Sequence, residues 1–251
     1  MTSLQTIQST REHFESIHGF WNEDLQNLLE TDSEYFAAYN QLLQVSARRN
    51  TLCAKERELI CVAVNAQVTY LNQAATGHHI RQALAAGASV AEVAETIQLA
   101  ASLGTHSMLI GVPIAHEVFQ ELGIAAPVED SQDAYRETLK AQFIDDRKYW
   151  APSWDAVLAY APEYFEAYLS LSRIPWASGP LDERFKELVY IAIDVATTHL
   201  FESGIRTHIK KSVEYGASPE QIIDVMTLAS NIGAHTSLMG ITALAGARGA
   251  R

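Results

Sequence analysis

Histidines that recur at a fixed distance along the chain are the residues best suited to chemistry. His79 and His106 are each followed by another histidine 129 positions later, His208 and His235. A histidine with an ordinary pKa of about 6.5 can both accept and donate a proton at neutral pH. We predict that His79 and His208 perform acid/base catalysis, and that His106 and His235 bind or orient an anionic group.

Two glutamates recur with the same spacing. Glu58 precedes His79 by the same distance along the chain as Glu187 precedes His208. A carboxylate beside an imidazole can change its pKa or relay a proton, so both glutamates are predicted as catalytic partners. Each also follows a basic residue near the start of an amphipathic helix, and a solvated or ion-paired glutamate would give the same pattern.

Three further residues are candidates for substrate binding. His199 occupies the position that corresponds to Tyr70 in the first copy, so one copy offers an imidazole where the other offers a phenol. Arg206 lies two residues before His208 and is predicted to anchor an anion, because a guanidinium group can bind a carboxylate with two hydrogen bonds.

A metal centre would need three ligands that converge. His199, His208 and His235, with Glu202, could provide them if the chain turned at Ser203-Gly204. Neither an HExxH nor a CxxC spacing supports such a centre. We therefore predict that the protein uses no metal or other cofactor, and we keep a metal-dependent enzyme as an alternative.

The elements that must position these residues occur twice. Residues 52–116 and 181–245 share 17 identities over 65 positions without a gap. Long helices are predicted at Leu52–Gln73 and Leu181–Glu202, and a shorter helix that ends in Gly-Ala-Ser follows each of them. No alternating strand pattern occurs. The prediction is an all-α fold formed by a tandem duplication, residues 1–125 and 126–251, packed as a pseudo-dimer.

Composition excludes several classes of function. The net charge of −12 argues against partners such as nucleic acids and anionic membranes. Two uncharged runs, Thr96–His116 and Val225–Ala247, are long enough to span a bilayer, but both contain polar residues and are interpreted as buried helices. The N-terminus lacks the pattern of a signal peptide and the two cysteines form no motif, so a cytoplasmic protein is expected.

The sequence pattern RELIxxAV, followed by a histidine, Gly-Ala-Ser and a glycine-rich uncharged helix, resembles the carboxymuconolactone decarboxylase family, which also contains the alkylhydroperoxidase-D-like proteins. The resemblance implies an all-helical fold and a homo-oligomer, here a trimer or dimer of two-repeat chains. It also implies a lyase that uses histidine acid/base chemistry on a small carboxylated metabolite or lactone.

The peroxidase branch of that family uses a CxxC motif whose second cysteine lies four residues before the helix histidine. This chain has Asn72 and Ala75 at those positions in the first copy, and Phe201 and Gly204 in the second. A thiol peroxidase is therefore disfavoured, because its nucleophile is missing. A ligand-binding or assembly protein that kept the fold without the chemistry remains the alternative from another functional class.

Overall fold

The computed structural model describes residues 3–125 and 133–249, which form α-helices joined by short turns and contain no β-strand. The helices of the first half are α1 (Ser3–His18), α2 (Glu23–Thr31), α3 (Ser33–Leu43), α4 (Val45–Arg49), α5 (Ala54–Ala66), α6 (Gln73–Ala85), α7 (Val90–Ala101) and α8 (His106–Glu121). Those of the second half are α9 (Asp133–Arg147), α10 (Ser153–Tyr160), α11 (Pro162–Ser178), α12 (Glu183–Val195), α13 (Glu202–Glu214), α14 (Pro219–Ser230) and α15 (His235–Gly249).

The two halves repeat the same architecture. Helices α12, α13 and α14 have the same bounds as α5, α6 and α7, shifted by 129 positions. Helix α15 likewise begins 129 positions after the start of α8. The predicted all-α tandem duplication is therefore confirmed. The boundary between residues 125 and 126 stays a prediction, because it adjoins residues 126–132, which lie outside the described part of the chain.

Local sequence signals explain where the helices begin and end. Gly87 and Gly216 follow α6 and α13. Their φ values are +92° and +91°, a conformation that glycine adopts without steric cost. Ser89 and Ser218 then form capping boxes at the start of α7 and α14. These are the caps that the Gly-Ala-Ser segments indicate.

The predicted helices Leu52–Gln73 and Leu181–Glu202 are shorter in the structure than in the sequence analysis. The observed helices α5 and α12 end early, at Ala66 and Val195, and the chain then makes a turn before α6 and α13. Leu71 and Leu200, at equivalent places in these turns, have left-handed φ values of 51° and 52°. This conformation is unfavourable for leucine and breaks the helix, although both segments are apolar enough to continue it.

The central core is shared by the two repeats. Helices α5 and α12 contact each other and are flanked by α7 and α14. Their side chains Leu59, Ile60, Leu188 and Ile191 are completely buried. Burying one such side chain contributes roughly 1.5–3 kcal/mol, so this helix pair is a major source of stability.

The last helix of each repeat packs on the other repeat. Met108, Leu109 and Val112 of α8 contact the aromatic cluster of α9–α11 in the second half, which contains Phe143, Trp154 and Phe165. Ala234, Leu238 and Ile241, at the start of α15 and just before it, contact the equivalent cluster of α1–α3. This exchange carries the histidine that begins each helix to the opposite repeat.

Within the described part of the chain, the segment Val90–Glu121 is long and apolar enough to cross a membrane by length and composition. In the structure it consists of α7, a 3₁₀ turn and α8. The α7 part packs against the central helices, where Leu99 and Ala100 are buried. No residue of α8 is buried. The interpretation of Thr96–His116 as a buried helix is therefore correct for its α7 part and wrong for its α8 part, because α8 packs along the outside of the second half, against α10. The same holds for Val225–Ala247, where α14 contributes buried residues and residues 235–247 contribute none.

Candidate active site

Each repeat contains a cavity, and the two cavities are related by the duplication. The second-repeat cavity, between α12, α13 and the aromatic cluster of α9–α11, has a volume of about 320 Å³, and its lining includes His106, Arg147, Glu187, Asp194 and His208. The first-repeat cavity has a volume of about 360 Å³, and its lining includes His18, Glu58, Asn65, His79 and His235. Because of the helix exchange, each cavity combines residues of both repeats.

A buried carboxylate–imidazole pair lies in the second-repeat cavity. His208 Nδ1 is 2.6 Å from Glu187 Oε2, and the two side chains are only 12% and 3% exposed. Burial alone would lower the pKa of His208, but the charge and hydrogen bond of Glu187, together with the charge of Asp194, raise it above its ordinary value. The pair therefore favours the protonated form of the His208 ring and keeps its Nε2 atom free for chemistry.

A second carboxylate, Asp194, lies two helical turns after Glu187 and so on the same face of α12. Its side chain is 2% exposed, and its Oδ2 atom lies 3.9 Å from His208 Nε2. Among the described residues, Oδ2 has no hydrogen-bond partner. Burial raises the pKa of Asp194 to about 7, although the charge of His208 opposes this rise and that of Glu187 adds to it.

Two stacked imidazoles lie next to Asp194. His106 Nδ1 is 2.7 Å from His199 Nε2, and the ring planes differ by 5°. Burial and the neighbouring histidines His199 and His208 lower the pKa of His106 to about 3. Burial also lowers the pKa of His199. Both rings are therefore neutral at pH 7 and carry lone pairs.

The turn before α13 explains why His199 reaches this position. The backbone N–H of Phe201 donates to the carbonyl oxygen of Asp194 (2.9 Å), which folds the turn back over the end of α12. The left-handed residue Leu200 lies between Phe201 and His199. Strained backbone of this kind is common at functional sites, where the surrounding structure holds it in place.

A buried arginine completes the second-repeat cavity. The Arg147 side chain lines it, donates from Nη2 to the carbonyl oxygen of Ser172 (2.7 Å), and lies over the Trp176 ring at 4.9 Å. Arg147 is not among the residues predicted from the sequence. The available signal was its place at the end of an amphipathic helix directly before an aromatic segment, at the position equivalent to His18 in the first repeat.

The first-repeat cavity repeats the pair but not its surroundings. His79 Nδ1 is 2.8 Å from Glu58 Oε2, and these side chains are 22% and 28% exposed. His235 Nδ1 lies 2.6 Å from the hydroxyl of Tyr70, in the arrangement that His106 and His199 have in the second repeat. Burial, followed by the charge of His79, lowers the pKa of His235.

The structure brings together both predicted Glu–His pairs, and it places two other groups differently from the sequence analysis. The metal alternative groups His235 with His199 and His208. Because α8 and α15 pack on the opposite repeats, His235 lies in the first-repeat cavity, and His106 lies in the second-repeat cavity, beside His199 and His208. The predicted break at Ser203-Gly204 lies inside α13, and the turn precedes it.

Arg206 also differs from its predicted position. Its guanidinium group pairs with Glu202 at 2.7 Å, and the two side chains are 74% and 78% exposed. Neither residue lines the second-repeat cavity. The reason is helical geometry: Arg206 lies two residues before His208 on α13 and therefore faces away from it.

Comparison with known proteins agrees with this architecture. The model of the carboxymuconolactone decarboxylase family matches residues 33–111 and 162–246, one segment in each repeat and more than half of the chain in total. The chain belongs to the carboxymuconolactone decarboxylase family. The family resemblance stated from the sequence is thereby confirmed.

Similar proteins extend the comparison. A crystal structure from Burkholderia xenovorans LB400, provisionally assigned as a gamma-carboxymuconolactone decarboxylase subunit, has a TM-score of 0.90 and 34% identity, with 96% of each chain covered. An uncharacterised protein of Methanocaldococcus jannaschii is 36% identical over 76 residues, which are 30% of this chain and 69% of that protein. Uncharacterised protein 4 of the cox locus of Paracoccus denitrificans is 32% identical over 71 residues, 28% of this chain and 60% of that protein.

Of the two cysteines of this carboxymuconolactone decarboxylase family member, Cys61 is in an environment that disfavours peroxide chemistry. Cys61 lines the first-repeat cavity, but burial raises the pKa of its thiol well above the ordinary value. Cys53 is exposed at the start of α5. A reactive cysteine needs a stabilised thiolate, and Cys61 has the opposite environment.

Gly204 leaves space for the Asp194 carboxylate. A Cβ atom at this position would overlap with the carboxylate and with the ring of Phe201. We expect Gly204→Ala to lower the free energy of unfolding by about 1–3 kcal/mol in urea denaturation, because the buried groups have little room to move. The control is Gly240→Ala, where nothing lies within 4 Å and alanine favours the helix. Equal stability of the two variants would contradict this prediction.

Proposed function

We propose that this protein is a decarboxylase that acts on a small, unsaturated, carboxylated lactone in the second-repeat cavity. The observation that supports this proposal best is the buried pair of Glu187 and His208, 2.6 Å apart, in a cavity that also contains Arg147. His208 would serve as the general acid. Family membership favours this reaction class, since the family takes its name from it.

Anion recognition would come from the two cationic groups of the cavity, Arg147 and protonated His208. Arg147 is 7% exposed, and its described hydrogen bond to Ser172 uses one of the five N–H donors of a guanidinium group. A substrate carboxylate could accept hydrogen bonds from the others. In a chain with a net charge of −12, such a local cation is what allows a dianionic substrate to bind.

The proton transfer follows from the orientation of His208. Glu187 holds Nδ1, so Nε2–H is directed away from the pair. In the proposed step the bond between a ring carbon and its carboxylate breaks, CO₂ leaves, and the electron pair enters the conjugated lactone system. His208 Nε2–H then donates its proton to a ring carbon, and solvent restores the proton.

The aromatic wall favours loss of CO₂. Trp150, Trp154, Tyr149 and Tyr168 line the cavity beside the charged groups. A carboxylate placed among these rings loses much of its hydration, which raises its free energy relative to the charge-delocalised state that follows. The same wall keeps bulk water away from the carbanionic intermediate.

The first experiment is ultraviolet-monitored turnover of 4-carboxymuconolactone by wild-type protein and by two alanine variants. We expect His208→Ala to lower kcat/KM by about 10²–10⁴-fold, the usual contribution of a general acid, and the matched variant His79→Ala to keep most of the activity. Absence of turnover in the wild type would reject the reaction. Loss of activity only in His79→Ala would instead place catalysis in the first-repeat cavity.

The proposal includes a homo-oligomer in the cytoplasm. Helix α8 exposes Ile110, Ile114 and Val118 at 46%, 53% and 43% of their surface, which is unusual for isoleucine and valine on one helix. A second copy of the chain would cover this face. Both cysteines are unpaired, as is typical of a reducing compartment.

A further inference from the structure

We propose that the second repeat also binds one divalent transition-metal ion, through His106 Nδ1, His199 Nε2 and a carboxylate oxygen of Asp194, at the wall of the second-repeat cavity. This inference goes beyond the proposed function, because none of the three ligands takes part in the proton transfer from His208. It also differs from the metal alternative of the sequence analysis, with which it shares only His199.

The three ligand atoms already converge. They all lie within 4.8 Å of one another, with 2.7 Å between the two imidazole nitrogens and 3.8 Å between His106 Nδ1 and Asp194 Oδ1. Ligand atoms around a tetrahedral Zn²⁺ ion, at about 2.0–2.1 Å from the metal, are about 3.3 Å apart. Shifts of roughly 1 Å in these side chains would create the site.

The ligand types suit this class of ion. Two imidazoles and one carboxylate, with a further position open to water or substrate, form a common set for Zn²⁺ and Fe²⁺ in proteins. The hydrogen bond between His106 and His199 uses one N–H and one lone pair. Metal binding needs only that the ring proton move to the other nitrogen of the same ring.

The buried carboxylate is an independent observation that points to a cation. Asp194 is 1% exposed and lines the cavity, and its Oδ2 atom has no hydrogen-bond partner among the described residues. A buried carboxylate without compensation is costly. A cation bound by this carboxylate would offset the cost of burying it.

The first repeat provides a natural comparison. There, Tyr70 replaces His199, Asn65 replaces Asp194, and His235 replaces His106. Tyr70 and His235 keep the same contact at 2.6 Å, so the fold accepts a phenol in place of the imidazole. A neutral phenol and an amide are poor ligands for a transition-metal ion, so we expect one ion per chain rather than two.

The test measures metal binding directly, without substrate. Chelator-treated protein is titrated with Zn²⁺ by calorimetry, and Co²⁺ is added to a parallel sample to record its visible absorption. We expect one ion per chain. We expect Asp194→Asn and His199→Tyr, which install the first-repeat residues and therefore suit the fold, to weaken binding by about 100-fold or more.

The control is His235→Ala in the first repeat, which should still bind one ion per chain. Circular dichroism verifies that each variant is folded. Absence of binding in the wild type, or unchanged binding in both Asp194→Asn and His199→Tyr, would overturn the proposal. Because this readout needs no substrate, zinc binding without lactone turnover would reject the proposed reaction alone, and turnover without zinc binding would reject the metal site alone.

Discussion

Glu187→Gln is expected to lower kcat/KM for the lactone by about 100-fold or more at neutral pH and to shift the pH profile. In the wild type, Glu187 is the main group that raises the pKa of His208 against the effect of burial. Glutamine keeps the shape of the side chain but loses the charge. Without this charge, burial lowers the pKa of His208 relative to the wild type, so a smaller fraction of the general acid is protonated at pH 7.

The sign of the pH shift follows from the role of His208 as an acid. Activity requires the protonated ring, so the wild-type rate should fall as pH rises through a value above about 6.5. In Glu187→Gln this decline should occur at lower pH, although Asp194 still raises the pKa and Arg147 lowers it. The measurement is kcat/KM as a function of pH for both proteins.

The matched control for this prediction is Glu58→Gln, which removes the equivalent carboxylate from the first-repeat cavity. If catalysis occurs in the second repeat, this variant should keep the wild-type profile. A Glu187→Gln profile that coincides with that of the wild type would show that His208 is not the titrating acid.

Glu95→Ala is expected to lower the free energy of unfolding by about 3–5 kcal/mol, because it breaks a buried ion pair. Lys186 Nζ lies 3.1 Å from Glu95 Oε1, and the side chains are 4% and 2% exposed. Glu95 Oε2 also accepts a hydrogen bond from the backbone N–H of Leu181 (2.8 Å). Among the described residues, removing the glutamate would leave the buried lysine with only its contact to the Trp176 ring and would leave the buried N–H without a hydrogen bond. This is much more costly than losing a surface ion pair.

Two further variants separate the buried charge from a general loss of packing. Glu202→Ala removes an exposed ion pair with Arg206 and should change stability by less than about 1 kcal/mol. Glu95→Leu combined with Lys186→Met removes both buried charges and should recover much of the loss. Urea denaturation at pH 7 measures all four proteins. A cost of Glu95→Ala no greater than that of Glu202→Ala would contradict the prediction.

The sequence alone was sufficient to predict the repeat, the helix caps and the Glu–His pairs. Glu58 and Glu187 precede a histidine at the same spacing in both copies, so a contact formed by one pair is expected in the other pair as well. The Gly-Ala-Ser segments specify caps through local backbone conformation alone. Such signals depend on neighbours in the chain, so they can be read without the tertiary structure.

The packing of α8 and α15 on the opposite repeats could not be predicted from the sequence of one chain. Because the repeats are similar, each last helix has an equivalent apolar surface available on its own repeat and on the other one. The hydrophobic periodicity of each helix would be the same whether it packed on its own repeat or on the other one. This ambiguity explains why the sequence predicts a group of His235 with His199 and does not indicate His106 as the partner of His199.

Neither Arg147 nor Asp194 is among the residues predicted from the sequence. Basic residues at the end of a helix are usually solvated, and only the tertiary packing shows that Arg147 is buried over Trp176. Asp194, by contrast, interrupts an apolar segment, YIAIDVA, and an ionisable residue in such a segment is itself a signal of a functional site.

The exchanged helices have an evolutionary consequence. In an assembly of identical one-repeat chains, every cavity would be built from the same residues, and a substitution in one would appear in all of them. Joining two copies in one polypeptide removes this constraint while keeping the exchanged packing. One cavity has Arg147, Asp194 and His199 where the other has His18, Asn65 and Tyr70. The duplicated chain can thus maintain two different sites on one scaffold, and selection can act on each site separately.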